Sequence, residues 1–123
     1  MLHQVLLSLA SNCDQEQNLQ EAQRRLLQAF KVCRFTPSIW TQPVNSRRPD
    51  LYINQLLRCA TSMTVGQLQA FLKQQEAEMG RTPDDRAQGI VRIDLDLLQY
   101  DDLRYHQRDW DRDYIKQLLA FEE

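Results

Sequence analysis

Residues 90–100 read IVRIDLDLLQY. Successive side chains of a strand point to opposite faces. Val91, Ile93, Leu95 and Leu97 therefore share one side, and Arg92, Asp94, Asp96 and Leu98 share the other. The first set is a core face. The second puts two carboxylates side by side, with roughly 6.6 Å between their Cα atoms from two strand rises. Aspartate is a poor strand residue, and like charges at neighbouring positions repel. The residues allow two readings: a solvated sheet face, or a cation site. Hard oxygen ligands suit Mg²⁺, which one or two carboxylates plus phosphate oxygens commonly hold. Two such ions roughly 3.5–4 Å apart can be gripped by adjacent carboxylates and a polyphosphate.

Working outward from this strand, the pattern alternates between periods of two and of three to four. Gln4–Leu9 reads as a buried strand. A helix comes next, with Leu19, Ala22, Leu26, Leu27 and Phe30 on one face, Asp14 as N-cap and Gln17 as its capping-box partner. Lys31–Trp40 is expected to be a strand, with Pro37 at an edge or bulge. TQPVNSRRPD (residues 41–50) is a loop, and LYINQLLRCATS (residues 51–62) a third strand. A second helix opens with the capping box Thr64 and Gln67. It carries Val65, Leu68, Leu72 and Met79 as its apolar stripe and closes on Gly80. TPDDRAQG (residues 82–89) reads as an irregular loop. After the fourth strand, a charged tail ends in Tyr114, Ile115, Leu118 and Leu119, a short helix packing back on the body.

The order β-α-β-β-α-β specifies an α+β ferredoxin-like sandwich: an antiparallel sheet, helices on one face, and a short C-terminal helix. One domain over residues 1–123 is expected. The helices would bury Val91, Ile93, Leu95 and Leu97, leaving Asp94 and Asp96 on the open face.

Apolar residues make up 42% of the chain and charged residues 26%, an ordinary soluble balance. A formal net charge of −2 argues against a broad basic surface for nucleic acid. The three cysteines, Cys13, Cys33 and Cys59, are widely spaced and form no Cys-x-x-Cys. That disfavours structural zinc and a disulfide framework and fits reduced thiols in a cytoplasmic protein. The opening MLHQVLLSLASN lacks the basic start and apolar length of a signal peptide, and no segment has the length to span a bilayer.

SLASN, WTQPV, LYIN, EAEMGR and IDLDLL occur in that order, and together they resemble the 6-hydroxymethyl-7,8-dihydropterin pyrophosphokinase family of folate synthesis, over the chain up to about Tyr100. The resemblance implies a ferredoxin-like fold and transfer of pyrophosphate from ATP to the pterin hydroxymethyl group, with release of AMP. It implies that Asp94 and Asp96 bind two Mg²⁺ ions. It also implies a pterin pocket at Thr41, Val44, Tyr52 and Asn54, and nucleotide contacts from Glu76 and Arg81. Tyr114 or Trp110 would supply the second stacking face of the pterin pocket, and Tyr114 fits better because RDY (residues 112–114) resembles the family's Arg-x-aromatic pair. ATP and a pterin are then the partners of a monomer, with no nucleic acid and no membrane.

Departures from the family are equally visible. Ala10-Ser11-Asn12 stands where the family has Gly-Ser-Asn. Ile90 and Val91 stand where it has proline and arginine, and Arg92 lies one place later. Arg86 or Arg92 is the candidate substitute for that catalytic arginine, beside Arg81. The family's Pro-His-Tyr segment and further tail give way to RYHQRDWDRDYIKQLLAFEE, and His106 reads as a surface histidine. An active pyrophosphokinase is therefore weighed against a catalytically impaired relative serving as a ligand-binding or interaction module. A ferredoxin-like sensor or dimerisation domain is the reading independent of the family.

Overall fold

A computed structural model describes residues 1–43 and 48–122. The elements are β1 (His3–Ser11), α1 (Gln15–Ala29), β2 (Lys31–Phe35), β3 (Ile39–Thr41), β4 (Tyr52–Thr61), α2 (Val65–Glu78), α3 (Pro83–Ala87), β5 (Asp94–Tyr100), β6 (Leu103–Arg104), α4 (Gln107–Trp110) and α5 (Asp113–Ala120). The sheet runs β2-β4-β1-β5-β6, every pair is antiparallel, and β3 also pairs with β4. With β1 and β4 central and α1 and α2 as crossovers, this is the ferredoxin-like α+β sandwich.

One face of the sheet is covered as the alternation dictates. Val5, Leu7 and Leu9 of β1, Ile53, Leu57 and Cys59 of β4, and Leu95 and Leu97 of β5 pack with Leu19, Ala22 and Leu26 of α1 and Leu68 and Leu72 of α2. Ile93, just ahead of β5, joins the same core. Leu27, placed by its spacing on the buried stripe of α1, is 54% exposed instead. A stripe of Leu19, Ala22, Leu26 and Phe30 already fills the width one helix presents to a sheet.

The caps separate two kinds of helix start. Thr64 and Gln67 form the reciprocal capping box on α2. Asp14 does not cap α1: it sits in the left-handed region (φ 45°) and its carboxylate makes no capping bond. Its neighbours explain why. Ser11 and Asn12 are pulled toward the chain ahead of β5, and the turn they leave enters the helix left-handed. The loop reading of residues 82–89 is corrected to the short helix α3. There Thr82 accepts from the Asp85 amide at 3.1 Å, and Pro83 occupies the first turn. The expected strand over Lys31–Trp40 is two strands. Thr36 breaks it by sharing its hydroxyl with the Pro37 carbonyl and the Leu56 amide. Among the described residues no helix is long and apolar enough to cross a membrane.

The end of α2 sets the course of the chain beyond it. The Gly80 amide donates to the Ala77 carbonyl, and the Arg81 amide donates to the Glu76 carbonyl at 3.1 Å. This is the two-bond Schellman closure, and Gly80 takes the left-handed φ of 100° that it requires. Arg81 is thereby turned back over Glu76. A Cβ on Gly80 would also stand 3.4 Å from Cδ of Arg92. Gly80→Ala is expected to cost about 1–2 kcal/mol, the penalty of a side chain in this region. A urea melt measures it, and an unchanged midpoint would contradict the conformational penalty.

Candidate functional site

The second face of the sheet is divided along its strands. Leu6, Leu56 and Leu98 form an apolar half, covered by Trp110 of α4 and Ile115 and Leu118 of α5. Farther along the same strands the same alternation places Ser8, Ala10, Asn54, Asp94 and Asp96. No apolar helix face can cover those residues cheaply, and they form the floor of a cleft of about 760 Å³. Thr41, Tyr52, Asp109, Arg112 and Tyr114 also line the cleft. Register fixes the floor. Ala10 lies opposite both Asn54 and Asp94, and Ser8 lies opposite Asp96. Ala10, with a methyl where the resembled family has glycine, is therefore at the centre.

Asp94 and Asp96 lie on the same face of β5 and line the same two cavities. Burial pushes Asp96 up to about 7, and the neighbouring charge of Asp94 pushes in the same direction. On the free edge of β5, Glu76 from α2 accepts the Leu95 amide through Oε2 at 2.7 Å. Its Oε1 meets Nη1 of Arg81 at 3.0 Å, and the same nitrogen reaches Oδ1 of Asp94 at 3.2 Å. Burial raises the Glu76 pKa against the lowering effect of the Leu95 hydrogen bond. Burial disfavours the charge on Arg81, but Glu76 and Asp94 outweigh it and its pKa rises.

A second cavity, of about 400 Å³, opens along this edge and is lined by Lys73, Glu76, Arg81, Arg86, Asp94, Asp96 and His106, among others. The aspartate pair is thus a common wall. An aromatic and acidic cleft lies on one side and a cavity rich in cationic groups on the other.

The expected site residues divide clearly. Thr41, Tyr52, Asn54 and Tyr114 meet at the larger cleft. Asn54 is buried and donates through Nδ2 to the Thr41 hydroxyl at 2.8 Å. Burial raises the pKa of the Tyr52 phenol while a hydrogen bond with Asn12 lowers it. The Tyr114 phenol is raised by burial first and by Asp109 next. Val44 lies outside the described residues. Glu76, Arg81 and Arg86 gather at the smaller cavity. Arg92 stands apart: its Nε is 2.9 Å from Oδ2 of Asp85, and it lines neither cavity.

Two contributions were missed in the sequence. His106 is exposed, as a surface histidine should be, at 49%, but it sits at the N-terminus of α4 with Nε2 3.9 Å from Oδ1 of Asp96. Asp101-Asp102 after β5 was the available signal. Aspartate tolerates the left-handed turn (φ 51° at Asp101), and the resulting hairpin returns the chain beside β5. Ser11 and Asn12 act by holding. The Asn12 side chain donates to the Gly89 carbonyl at 2.9 Å and accepts the Val91 amide at 2.7 Å, while Ser11 donates to the Val91 carbonyl at 3.3 Å. This clamp sets where β5 begins, and with it the register of the aspartates.

Among the described residues no group of three or more His, Cys, Asp or Glu side chains is placed to hold a metal ion. The aspartate pair still fits Mg²⁺ as a partial donor set. It offers hard oxygens and carries a charge excess that a cation relieves, and phosphate oxygens or water would supply the remaining ligands.

The raised Asp96 carboxyl has a consequence for stability. Between about pH 4 and about pH 7 the folded state holds a proton at Asp96 that the unfolded chain has lost, so stability falls as pH rises through that window. Glu76, also raised, adds in the same direction. Thermal melts without divalent cation are expected to show this decline, and Asp96→Asn to flatten it. A variant that keeps the full slope would assign the effect elsewhere.

The model of the 7,8-dihydro-6-hydroxymethylpterin-pyrophosphokinase family matches residues 6–121. The mitochondrial folate synthesis bifunctional protein of Arabidopsis thaliana is 28% identical over 123 residues, covering 92% of this chain and 22% of that protein. A second folate synthesis bifunctional protein of the same plant is 27% identical over 122 residues, covering 91% of this chain and 25% of that protein. The chain thus spans about a quarter of the length of these curated relatives.

Proposed function

The chain belongs to the 7,8-dihydro-6-hydroxymethylpterin-pyrophosphokinase family, and on that premise we propose that it transfers pyrophosphate from ATP to 6-hydroxymethyl-7,8-dihydropterin in folate synthesis, with residues 1–123 acting as one domain. The observation that carries this reading is the position of Asp94 and Asp96 as the shared wall of two unlike cavities. Transfer between two substrates needs them on either side of one charge-neutralising centre, in line with each other.

Asp94 and Asp96 would hold two Mg²⁺ ions, which when bound neutralise phosphate oxygens and orient the diphosphoryl group. The chain's own residues do the rest. Arg81, Arg86 and Lys73 on the cationic side receive phosphate charge, and His106 stands beside them. Tyr52 and Tyr114 offer flat faces for the pterin ring. Asn54, oriented by Thr41, offers both donor and acceptor to the amide edge of the ring. The hydroxymethyl oxygen forms a bond to the β-phosphorus of ATP, the α,β-bridging bond breaks, and AMP leaves with the bridging oxygen. The hydroxyl proton passes to solvent or to a carboxylate of the wall.

The test is AMP release from ATP in the presence of Mg²⁺ and the hydroxymethyl dihydropterin. Release dependent on both is expected. One observation favours a second reading, a relative that binds without turnover: Val91 replaces the family's loop arginine, and Arg92 is held by Asp85. Mg²⁺-dependent nucleotide binding with no AMP release would select that reading. Absence of both would reject the site.

A further inference from the structure

We propose that Arg81 is a resident counterion of Asp94, occupying in the metal-free protein a carboxylate oxygen that a divalent cation takes over. The inference rests on the metal-binding reading of Asp94 and Asp96.

Three features of the geometry carry it. One guanidinium nitrogen, Nη1, serves both Glu76 at 3.0 Å and Asp94 at 3.2 Å. The two partners are not equally fixed. The Glu76 side chain is 11% exposed, and its other oxygen is pinned by the Leu95 amide at 2.7 Å. The Asp94 side chain is 37% exposed and faces the cavities. Contact with Asp94 is therefore the looser half of the pair. Finally, the backbone of Arg81 is set by the Schellman closure at Gly80, so the side chain leaves Asp94 without leaving the site.

A dication held by the Asp94 carboxylate would repel a guanidinium on its Oδ1. Binding of the cation thus requires Arg81 to withdraw from Asp94, and Glu76 remains to hold it. The same step frees donors of Arg81 at the wall of the cationic cavity, where phosphate oxygens would lie in the proposed reaction. Arg81 accordingly has two effects of opposite sign. It opposes the metal when no nucleotide is present, and it favours the nucleotide when both are present.

The experiment uses Mn²⁺ alone as probe, with free ion measured by electron paramagnetic resonance in the absence of nucleotide. Wild type, Arg81→Met and Arg86→Met are compared, each first checked for a cooperative thermal melt. Arg86 lines the same cavity, but the ion pair of Asp94 runs to Arg81, and the side chain beside Asp96 is His106, at 3.9 Å. Its loss changes the charge by the same amount without releasing Asp94. Arg81→Met is expected to tighten Mn²⁺ binding by about three- to fivefold, the upper part of the worth of one partly exposed charge pair, and Arg86→Met by less than about twofold. A non-hydrolysable ATP analogue with Mg²⁺ should bind Arg81→Met more weakly than wild type. Equal Mn²⁺ affinities in wild type and Arg81→Met, or equal tightening in both variants, would overturn the counterion role and leave the metal site standing. Failure of every form to bind Mn²⁺, with nucleotide or without, would overturn the metal reading and this inference together.

Discussion

Replacing Asp94 or Asp96 by alanine is expected to remove Mg²⁺-dependent nucleotide binding while leaving the chain folded. The two carboxylates are the hard-oxygen donors shared by both cavities. Losing a residue that merely orients a metal ligand commonly costs 10–100-fold in affinity, so losing a ligand should cost about 100-fold or more. The fold should survive for a separate reason. Asp96 is held in an environment that disfavours its charge, and removing a group of that kind relieves desolvation and repulsion near neutral pH. Asp94 is partly exposed and its contact with Arg81 is replaceable by water. Calorimetry with a non-hydrolysable ATP analogue, with and without Mg²⁺, measures the effect, and thermal melts check the fold. An alanine variant that still binds the nucleotide with wild-type affinity and full Mg²⁺ dependence would exclude that aspartate as a ligand.

The alternation in residues 90–100 made much of this site legible. Once Ile93, Leu95 and Leu97 are buried, the aspartates must face the other side of the sheet. The same logic covers Asn54 and Tyr52 on β4, and Ser8 and Ala10 on β1. The division of that second face into covered and open halves was also written in the residues: Leu6, Leu56 and Leu98 need cover, and Ser8, Asn54 and Asp96 do not. It was harder to see because the three strands contribute at different registers, and pairing between β1 and β5 shifts at Leu6/Leu7. Arg92 shows the limit of alternation. It precedes β5, and its partner Asp85 belongs to a helix that the pattern did not reveal. The signal for that helix was present in Thr82-Pro83, a capping residue followed by proline. His106 and the hold of Asn12 on Val91 join residues 10 and 79 positions apart. Such pairings arise from tertiary closure, not from any local period.

Ile115→Ala is expected to cost about 2–5 kcal/mol of stability, the range for truncating a fully buried aliphatic side chain. Ile115 is fully buried between α5 and the sheet, against Leu6, Leu56 and Leu98. The shortened side chain leaves a void that backbone relaxation fills poorly, because β1 and β4 are central strands held on both sides. Leu27→Ala is the matched control. That leucine is 54% exposed, and its loss should change the unfolding free energy from a urea titration by no more than about 0.5 kcal/mol. The functional consequence is asymmetric. Tyr114 precedes Ile115 and lines the larger cleft, whereas the cationic cavity is built from α2, α3, β5 and the His106 turn. Loosening α5 should therefore weaken binding of a pterin more than binding of Mg²⁺-nucleotide at a temperature where the variant remains folded. Urea titration of both variants gives the stability difference, and calorimetry with each ligand gives the split. Equal loss for pterin and nucleotide would mean that α5 supports the sheet as a whole, not one side of the aspartate wall.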